Sequence, residues 1–170
     1  MDSEILFSEK QKFSQWWLWL ILIAVNGLIL FGIFKQVIGE QQFGDKPMSN
    51  LGLLLTEALI LILTILCINF QLETRITKDG VYVRFFPFHF SFKYYGWDKI
   101  SKSFTRQYNP TTEYGGWSLR LEILGSGKAF NVSGDKGLQL EFIDKKKLLI
   151  GTHKVEELTE TLNKIGQFKK

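Results

Sequence analysis

Two long apolar runs stand out in the first half of the chain. Residues 16–34 read WWLWLILIAVNGLILFGIF, and residues 51–70 read LGLLLTEALILILTILCINF. Each run is about 20 residues long, and a helix of that length, at 1.5 Å per residue, matches the roughly 30 Å hydrocarbon core of a bilayer. The pattern therefore predicts a helical hairpin over residues 16–70, with membrane spans at about 16–35 and 51–70.

The distribution of basic residues predicts the orientation of the spans. The leader, residues 1–15, and the segment after the second span carry more of them than the connecting loop does. They are Lys10, Lys12, Arg75, Lys78 and Arg84 against Lys35 and Lys46. Because basic flanks stay on the cytoplasmic side, we expect both termini in the cytoplasm. A cleaved signal peptide is disfavoured, since the first run is longer than a signal h-region and no A-x-A-like site follows it.

Beyond residue 70, apolar and polar residues alternate. Apolar side chains recur at every second position in five segments. These contain Leu72, Thr74 and Ile76; Val81, Val83 and Phe85; Phe90, Phe92 and Tyr94; Leu119, Leu121 and Ile123; and Leu138, Leu140 and Phe142. Such alternation is typical of strands with one buried face. Turn-forming residues, among them those at 144–146, separate the segments at spacings of roughly 8 to 12 residues, which predicts an antiparallel sandwich or barrel.

The last segment changes to helical spacing. In residues 152–167, THKVEELTETLNKIGQ, apolar side chains recur every three or four positions. Thr152 is the expected N-cap, and Gly166 is expected to end the helix. An amphipathic helix that follows a run of strands needs cover for its apolar stripe. The open end of a curved sheet provides that cover.

The succession DGVYVRFFPF, GWDKI, RQYNP, YGGW, NVSGDKGLQLEF and LLIGT ahead of a terminal helix resembles bacterial pleckstrin-homology-like (PH-like) domains. These domains occur in small integral membrane proteins, and the leader and FGDKP loop are similar to members of that group. The resemblance departs at Val155, where such proteins often carry proline. It implies a cytoplasmic domain over residues 71–168, in which a C-terminal helix caps a bent antiparallel sheet of about seven strands. It also implies that the protein lies in a bacterial inner membrane. It implies no reaction, because PH-like folds host many functions.

The segment SGDKG, residues 133–137, combines glycines with a lysine, as phosphate-binding loops do. A P-loop, however, needs G-x-x-x-x-G-K-[ST] between a strand and a helix, whereas this segment lies between two alternating stretches. We interpret it as a hairpin turn.

His89 and His153 are far apart in sequence, and no metal-ligand spacing, nucleophile motif or nucleotide fingerprint accompanies them. We therefore expect no enzymatic activity, no cofactor and no metal.

Each span carries a polar residue deep in its apolar run. Asn26 lies ten residues into the first span and Glu57 six residues into the antiparallel second span, so the two are within about one helical turn in depth. We predict that they form an intramembrane polar pair. One interpretation is a proton or ion route, which two spans enclose only in a homo-oligomer. The favoured interpretation is a hydrogen bond from Glu57 to Asn26, or to Thr56 of a neighbouring hairpin, that fixes helix packing.

The charge of the chain is divided unevenly. Residues 71–170 carry 17 Lys and Arg against 11 Asp and Glu, whereas residues 1–70 carry 4 against 6. A basic domain beside an anionic leaflet gains about 1 kcal/mol for each well-placed Lys or Arg. The candidate contacts with lipid head groups are Lys78, Arg84, Lys145, Lys146 and Lys147. Binding to nucleic acid is not expected, because acidic residues are interspersed with the basic ones and no recognition helix is evident.

These features together predict a membrane-anchored PH-like interaction or scaffolding module. Its protein partner is expected to dock on a sheet edge or on an aromatic surface. That surface comprises Phe86, Phe88, Tyr95, Trp97 and Trp117. The first alternative is an anionic-lipid-sensing module at the inner leaflet. The second is an oligomeric transport or proton-coupled element that uses Glu57. The sequence identifies neither the partner nor the biological process.

Overall fold

The computed structural model describes residues 4–13, 15–114, 116, 118–120 and 127–170, with only the backbone described for 118–120. The chain divides into two compact units. Ser14–Asn69 form the helical unit, and Met1–Phe13 together with Phe70–Lys170 form the β domain. The leader expected at residues 1–15 therefore does not stand apart, since most of it belongs to the β domain.

The helical unit consists of two long apolar helices, as the sequence predicts. Helix α1, Trp16–Ile33, continues through a π-helical turn, Phe34–Ile38, and α2 spans Asn50–Asn69. Both helices are long and apolar enough to cross a membrane, and few of their side chains are buried. The first helix extends past the predicted end at residue 35. Its Gln36 side chain supports this extension by donating to the Met48 carbonyl (2.6 Å) and to Asn50 Oδ1 (2.9 Å).

The first sheet of the β domain is antiparallel and has four strands in the order β1-β2-β3-β4. The strands are β1 Ile5–Lys12, β2 Gln71–Thr77, β3 Gly80–Phe86 and β4 Lys93–Gly96. The sequence analysis did not predict β1. Every second residue of β1 faces inward, and the buried ones are Phe7, Glu9 and Gln11. Two of these three buried side chains are therefore polar. Polar residues at buried positions conceal the period-two signal on which strand prediction depends.

The second sheet has five strands in the order β5-β8-β9-β7-β6. They are β5 Ile100–Gln107, β6 Ser118–Arg120, β7 Lys128–Asn131, β8 Lys136–Phe142 and β9 Lys147–Gly151. A three-residue 3-10 turn, Trp97–Lys99, precedes β5, and a short helix α3, Pro110–Tyr114, follows it. Strand β7 pairs parallel to β9. The described residues thus form nine strands in two sheets, one of them mixed, rather than about seven strands in a single antiparallel sheet.

The parallel pair also corrects the interpretation of residues 133–137. Gly134 has φ +80°, so a turn with a left-handed glycine is present. The strands on either side of it, β7 and β8, are nevertheless separated by β9 in the sheet. The segment therefore crosses the end of β9 and is not a hairpin. Strand order is set by pairing between distant residues, and a local turn pattern does not reveal it.

Three of the alternating segments that the sequence analysis picked out, 72–76, 81–85 and 138–142, contribute buried side chains to the core of the β domain. Phe90 and Tyr94 of a fourth segment are exposed, and the side chains of the fifth, 119–123, lie outside the described residues. Buried side chains from both sheets meet the apolar stripe of α4, Val155–Lys164. The largest fully buried ones include Leu72, Ile76, Phe85, Phe130, Leu138, Leu140, Leu158 and Leu162. Gly166 ends the helix at φ +67°, as predicted. The N-cap prediction is wrong: Lys154 holds that position, and Thr152 is buried and donates to Glu9 Oε2 (2.5 Å).

The buried Glu9 joins the leader strand to the end of β9. Its Oε2 accepts from Thr152 and its Oε1 accepts from the backbone N–H of His153 (2.8 Å). Two positions further along β1, Gln11 Nε2 donates to the Gly151 carbonyl (2.7 Å). Hydrogen bonds to a buried carboxylate are stronger than those between neutral groups. These contacts connect β1 to residues about 140 positions away in the chain.

We expect Glu9→Ala to loosen this connection, because it leaves the Thr152 hydroxyl and the His153 amide without their acceptor. The free energy of local opening should fall by about 3 kcal/mol. Hydrogen–deuterium exchange of the full chain in detergent measures this in peptides from β1 and residues 150–155. Glu156→Ala, at an exposed glutamate of α4, is the control. Equal protection in both variants would contradict a structural role for Glu9.

Candidate binding site

The β domain contains a cavity of about 520 Å³ between β4 and the turn that joins β8 to β9. Aromatic and aliphatic side chains form its floor, and lysines surround its opening. The lining residues are Tyr94, Tyr95, Lys99, Lys128, Phe142, Ile143, Asp144, Lys146, Lys147 and Leu148. The Tyr95 and Phe142 rings lie 5.4 Å apart and connect the two sheets at the floor of the cavity.

A tight turn positions the lysines on one side of the cavity. Phe142 N–H donates to the Lys146 carbonyl and Lys145 N–H donates to the Phe142 carbonyl, both at 2.9 Å. Lys145 adopts φ +65°, and Asp144 Oδ1 accepts from the Lys146 amide (3.2 Å). The sequence predicts a turn at residues 144–146, and the structure confirms it.

The lysines around the opening differ in their charge partners. Lys146 pairs with Asp144 (2.6 Å), and Lys147 pairs with Glu141 (3.6 Å). The side-chain hydrogen bond from Lys146 is the main reason that the pKa of Asp144 lies below its ordinary value. Among the residues described, Lys99 and Lys128 are exposed and form no ion pair. The opening therefore carries uncompensated positive charge above an apolar floor.

The five predicted lipid contacts lie in three places. Lys146 and Lys147 line the cavity, and Lys145 lies on the adjacent turn outside the lining. Lys78 lies in the turn between β2 and β3 and pairs with Glu4 (3.4 Å). Arg84 lies in β3 and binds Glu73 (2.9 Å). The structure therefore brings together part of the predicted set, and adds Lys99 and Lys128, which no local pattern in the sequence connects to it.

Arg84 belongs to a cluster on the first sheet in which a carboxylate offsets the charge of neighbouring basic side chains. The Glu73 carboxylate lies 2.9 Å from Arg84, 3.4 Å from Lys10 and 3.8 Å from Arg75. Burial raises the pKa of Glu73, but the hydrogen bonds and charges of Arg84 and then Lys10 outweigh it, so that this pKa lies below its ordinary value. The guanidinium groups of Arg75 and Arg84 lie over the Phe92 ring, at 4.3 and 4.7 Å. These contacts give the arginines a structural role.

Asn26 and Glu57 do not form the predicted pair. Asn26 Nδ2 donates to Thr64 Oγ1 (3.1 Å) and to the Leu22 carbonyl (2.6 Å). Glu57 is only 5% exposed, and neither carboxylate oxygen has a hydrogen-bond partner among the described residues. Thr64 lies seven residues, roughly 10 Å of helix, beyond Glu57. The depth estimate failed because the first helix continues to Ile38, which shifts the register of the two helices.

The two histidines occupy different environments. His89 packs edge-on against Phe130 (5.5 Å), and burial, followed by the charge of Lys93, lowers its pKa. His153 is exposed, and its Nε2 lies 2.9 Å from Ser133 Oγ. The nearby Glu9 accepts from the backbone amide of His153 and not from the ring, so no carboxylate among the described residues orients the Ser–His pair. No group of three or more potential metal ligands occurs in the part of the chain that the structure describes.

The aromatic residues expected to form a docking surface do not share one face. Trp97 is buried and donates Nε1–H to the Thr77 carbonyl (3.1 Å). Tyr95 is half-buried beside the cavity, whereas Phe86 and Phe88 lie at the other end of β3. Trp117 lies outside the described residues. The prediction failed because period-two alternation identifies opposite faces of a strand but not which face packs into the core.

Glu73→Gln tests the structural role of the arginine cluster. At neutral pH the variant should be less stable by about 2 kcal/mol, because three cations lose a buried counter-charge. A carboxyl group with a lowered pKa stabilises the fold above its unfolded pKa, near 4.5, and this contribution is lost as the pH falls. The wild type and variant should therefore converge in acid. Calorimetric unfolding of the full chain in detergent measures this, with Glu156→Gln as the control; a constant difference at all pH values would refute the assignment.

No protein-family model matches this chain, and a comparison with curated proteins finds no significant similarity. The function must therefore be argued from the geometry of the cavity and its surroundings.

Proposed function

We propose that the chain is a membrane-anchored PH-like interaction module, without enzymatic activity, in a bacterial inner membrane with both termini in the cytoplasm. The exposed apolar side chains of α1 and α2 support the anchoring. A core helix of a soluble protein buries most of its side chains, whereas those of the two helices are largely exposed. The solvent that matches such helices is the hydrocarbon of a bilayer.

The chain enters and leaves the helical unit from one end of the first sheet. Strand β1 ends at Lys12 and α1 begins at Trp16, while α2 ends at Asn69 and β2 begins at Gln71. Lys12 and Gln71 face each other in the first sheet. Both connections to the proposed membrane spans are therefore short and start from the same end of the paired ladder.

The observation that carries the proposal is the cavity with its lysine-lined opening. A concave apolar floor with a few charged groups at the mouth is the usual form of a recognition site. Lys99 and Lys128, which have no ion-pair partner among the described residues, favour an acidic partner. The tyrosine and phenylalanine rings favour an apolar side chain next to the acidic group. We propose that the partner is a protein that inserts such a segment.

The register of the first sheet favours a protein over a lipid of the same leaflet. Tyr95 pairs with Val81, five residues before Phe86, and Phe86 pairs with Gln71 at the end where the chain leaves for the helices. Five residues of strand span roughly 16 Å. The cavity residue Tyr95 therefore lies at the opposite end of the sheet from the connections to the spans, which favours a soluble partner over a lipid head group.

Site-specific photo-crosslinking in native cells tests this proposal. A photoreactive amino acid in place of Ile143, which is 69% exposed and lines the cavity, should yield one discrete protein adduct. Combining it with Lys99→Glu and Lys128→Glu should abolish the adduct, because the charge at the opening is reversed. The same photoreactive group in place of Glu156, on the exposed face of α4, is the matched control.

The possible outcomes separate the alternatives. A protein adduct that depends on Lys99 and Lys128 supports the interaction module. An adduct that has the mass of a phospholipid supports the lipid-sensing alternative instead. An adduct that is unchanged by charge reversal, or no adduct at all, contradicts the cavity as the recognition site.

A further inference from the structure

We propose that the loop between β3 and β4, Pro87–Phe92, inserts Phe88 and Phe90 into the interface of the bilayer that α1 and α2 cross. This inference rests on the membrane anchoring proposed above, but it concerns a second surface of the β domain. Phe90 is 80% exposed and Phe88 is 52% exposed, although they are only two residues apart. Two exposed phenylalanines so close together on a short loop are unusual for a surface that faces only water.

The register of the first sheet places this loop at the end of the domain from which the spans depart. Lys12 faces Gln71, and Gln71 faces Phe86, so the three residues form one row across β1, β2 and β3. Pro87 follows Phe86 directly, and Trp16 is four residues from Lys12 in the chain. The loop and both connections to the helices therefore leave the sheet from the same end.

Core contacts hold the two phenylalanines in place. The Phe88 ring stacks on Phe70 (5.6 Å) and on Phe85 (5.7 Å), and Phe70 is the residue immediately before β2. Phe90 lies edge-on to Phe86 (5.8 Å). The backbone N–H of His89 donates to the Phe85 carbonyl (2.7 Å). Because packing already orders the rings, insertion costs little additional conformational entropy.

The charges beside the loop fit the surface of an anionic leaflet. Lys12, at the end of β1, and Lys93, immediately after the loop, are exposed and form no ion pair among the described residues. Arg75 and Arg84 lie over the ring of Phe92, the last residue of the loop, but both are paired with Glu73. The charge available to the leaflet is therefore that of Lys12 and Lys93. Aromatic rings that enter the head-group boundary next to lysine and arginine are the usual composition of an interfacial anchor. A water-soluble acidic partner would match the charges, but it would not cover the exposed rings of Phe88 and Phe90.

A depth measurement on the full chain tests the proposal. In a Cys67→Ala background, Phe90→Cys carries an environment-sensitive thiol dye, and the protein is reconstituted into vesicles of phosphatidylcholine and phosphatidylglycerol. Emission from the dye should shift to the blue, and lipids with a spin label near the acyl carbonyl should quench it. Lys93→Cys, next to the loop, should show a smaller shift and weaker quenching.

Two further labelled positions make the outcome decisive. Ile143→Cys, at a residue that is also exposed (69%) but lines the cavity, should show water-like emission without quenching. Leu59→Cys, on the exposed face of α2, should be quenched by lipids labelled deep in the acyl chain. Water-like emission at position 90 while position 59 is quenched overturns the loop insertion and leaves the anchoring intact. Absence of quenching at position 59 overturns the membrane anchoring, and the loop insertion falls with it.

Discussion

The pairing of β1 with β2 is the constraint on which the rest of the structure depends. These strands lie on either side of the helical unit in sequence, and their ladder ends at Lys12 and Gln71, where the helical segment begins and ends. The helical unit is thus an insertion in the connection of a β-hairpin. Loop-closure entropy rises by only about 0.6 kcal/mol for each doubling of loop length, so a long insertion costs the pairing little. The insertion is also ordered in its own right, since the two helices contact each other.

The same pairing explains why a strand with a polar interior is stable. Glu9 and Gln11 point inward from β1, yet the Glu9 carboxylate accepts from Thr152 and His153, and Gln11 Nε2 donates to the Gly151 carbonyl. A buried polar group without partners would destabilise the fold, whereas a paired one selects a particular register. One-residue slippage of β1 would move both side chains to the other face of the sheet and break all three contacts. The polar residues therefore specify how the leader joins the domain.

Two groups of charged residues in the β domain have different roles. Three cations surround the buried Glu73 carboxylate, and two of them also lie over the Phe92 ring, so this arrangement stabilises the first sheet. Around the cavity, Lys99 and Lys128 remain without a counter-ion among the described residues, above an apolar floor. Net charge does not distinguish the two groups. The distinction comes from whether a carboxylate lies within ion-pair distance, and in the proposed function only the uncompensated group recognises a ligand.

The sequence by itself determined the two apolar helices, most strand positions that form the core, the turn at residues 144–146 and the end of α4. Each of these depends on periodicity or on local backbone preference, which neighbouring residues fix. The tertiary structure alone decided that the leader is a strand, that β7 lies parallel to β9, and that Asn26 bonds Thr64. It also decided that Lys99 and Lys128 join Lys146 and Lys147 around one cavity. These features join residues that are distant in the chain, and their partners are set by packing and pairing that no local pattern encodes.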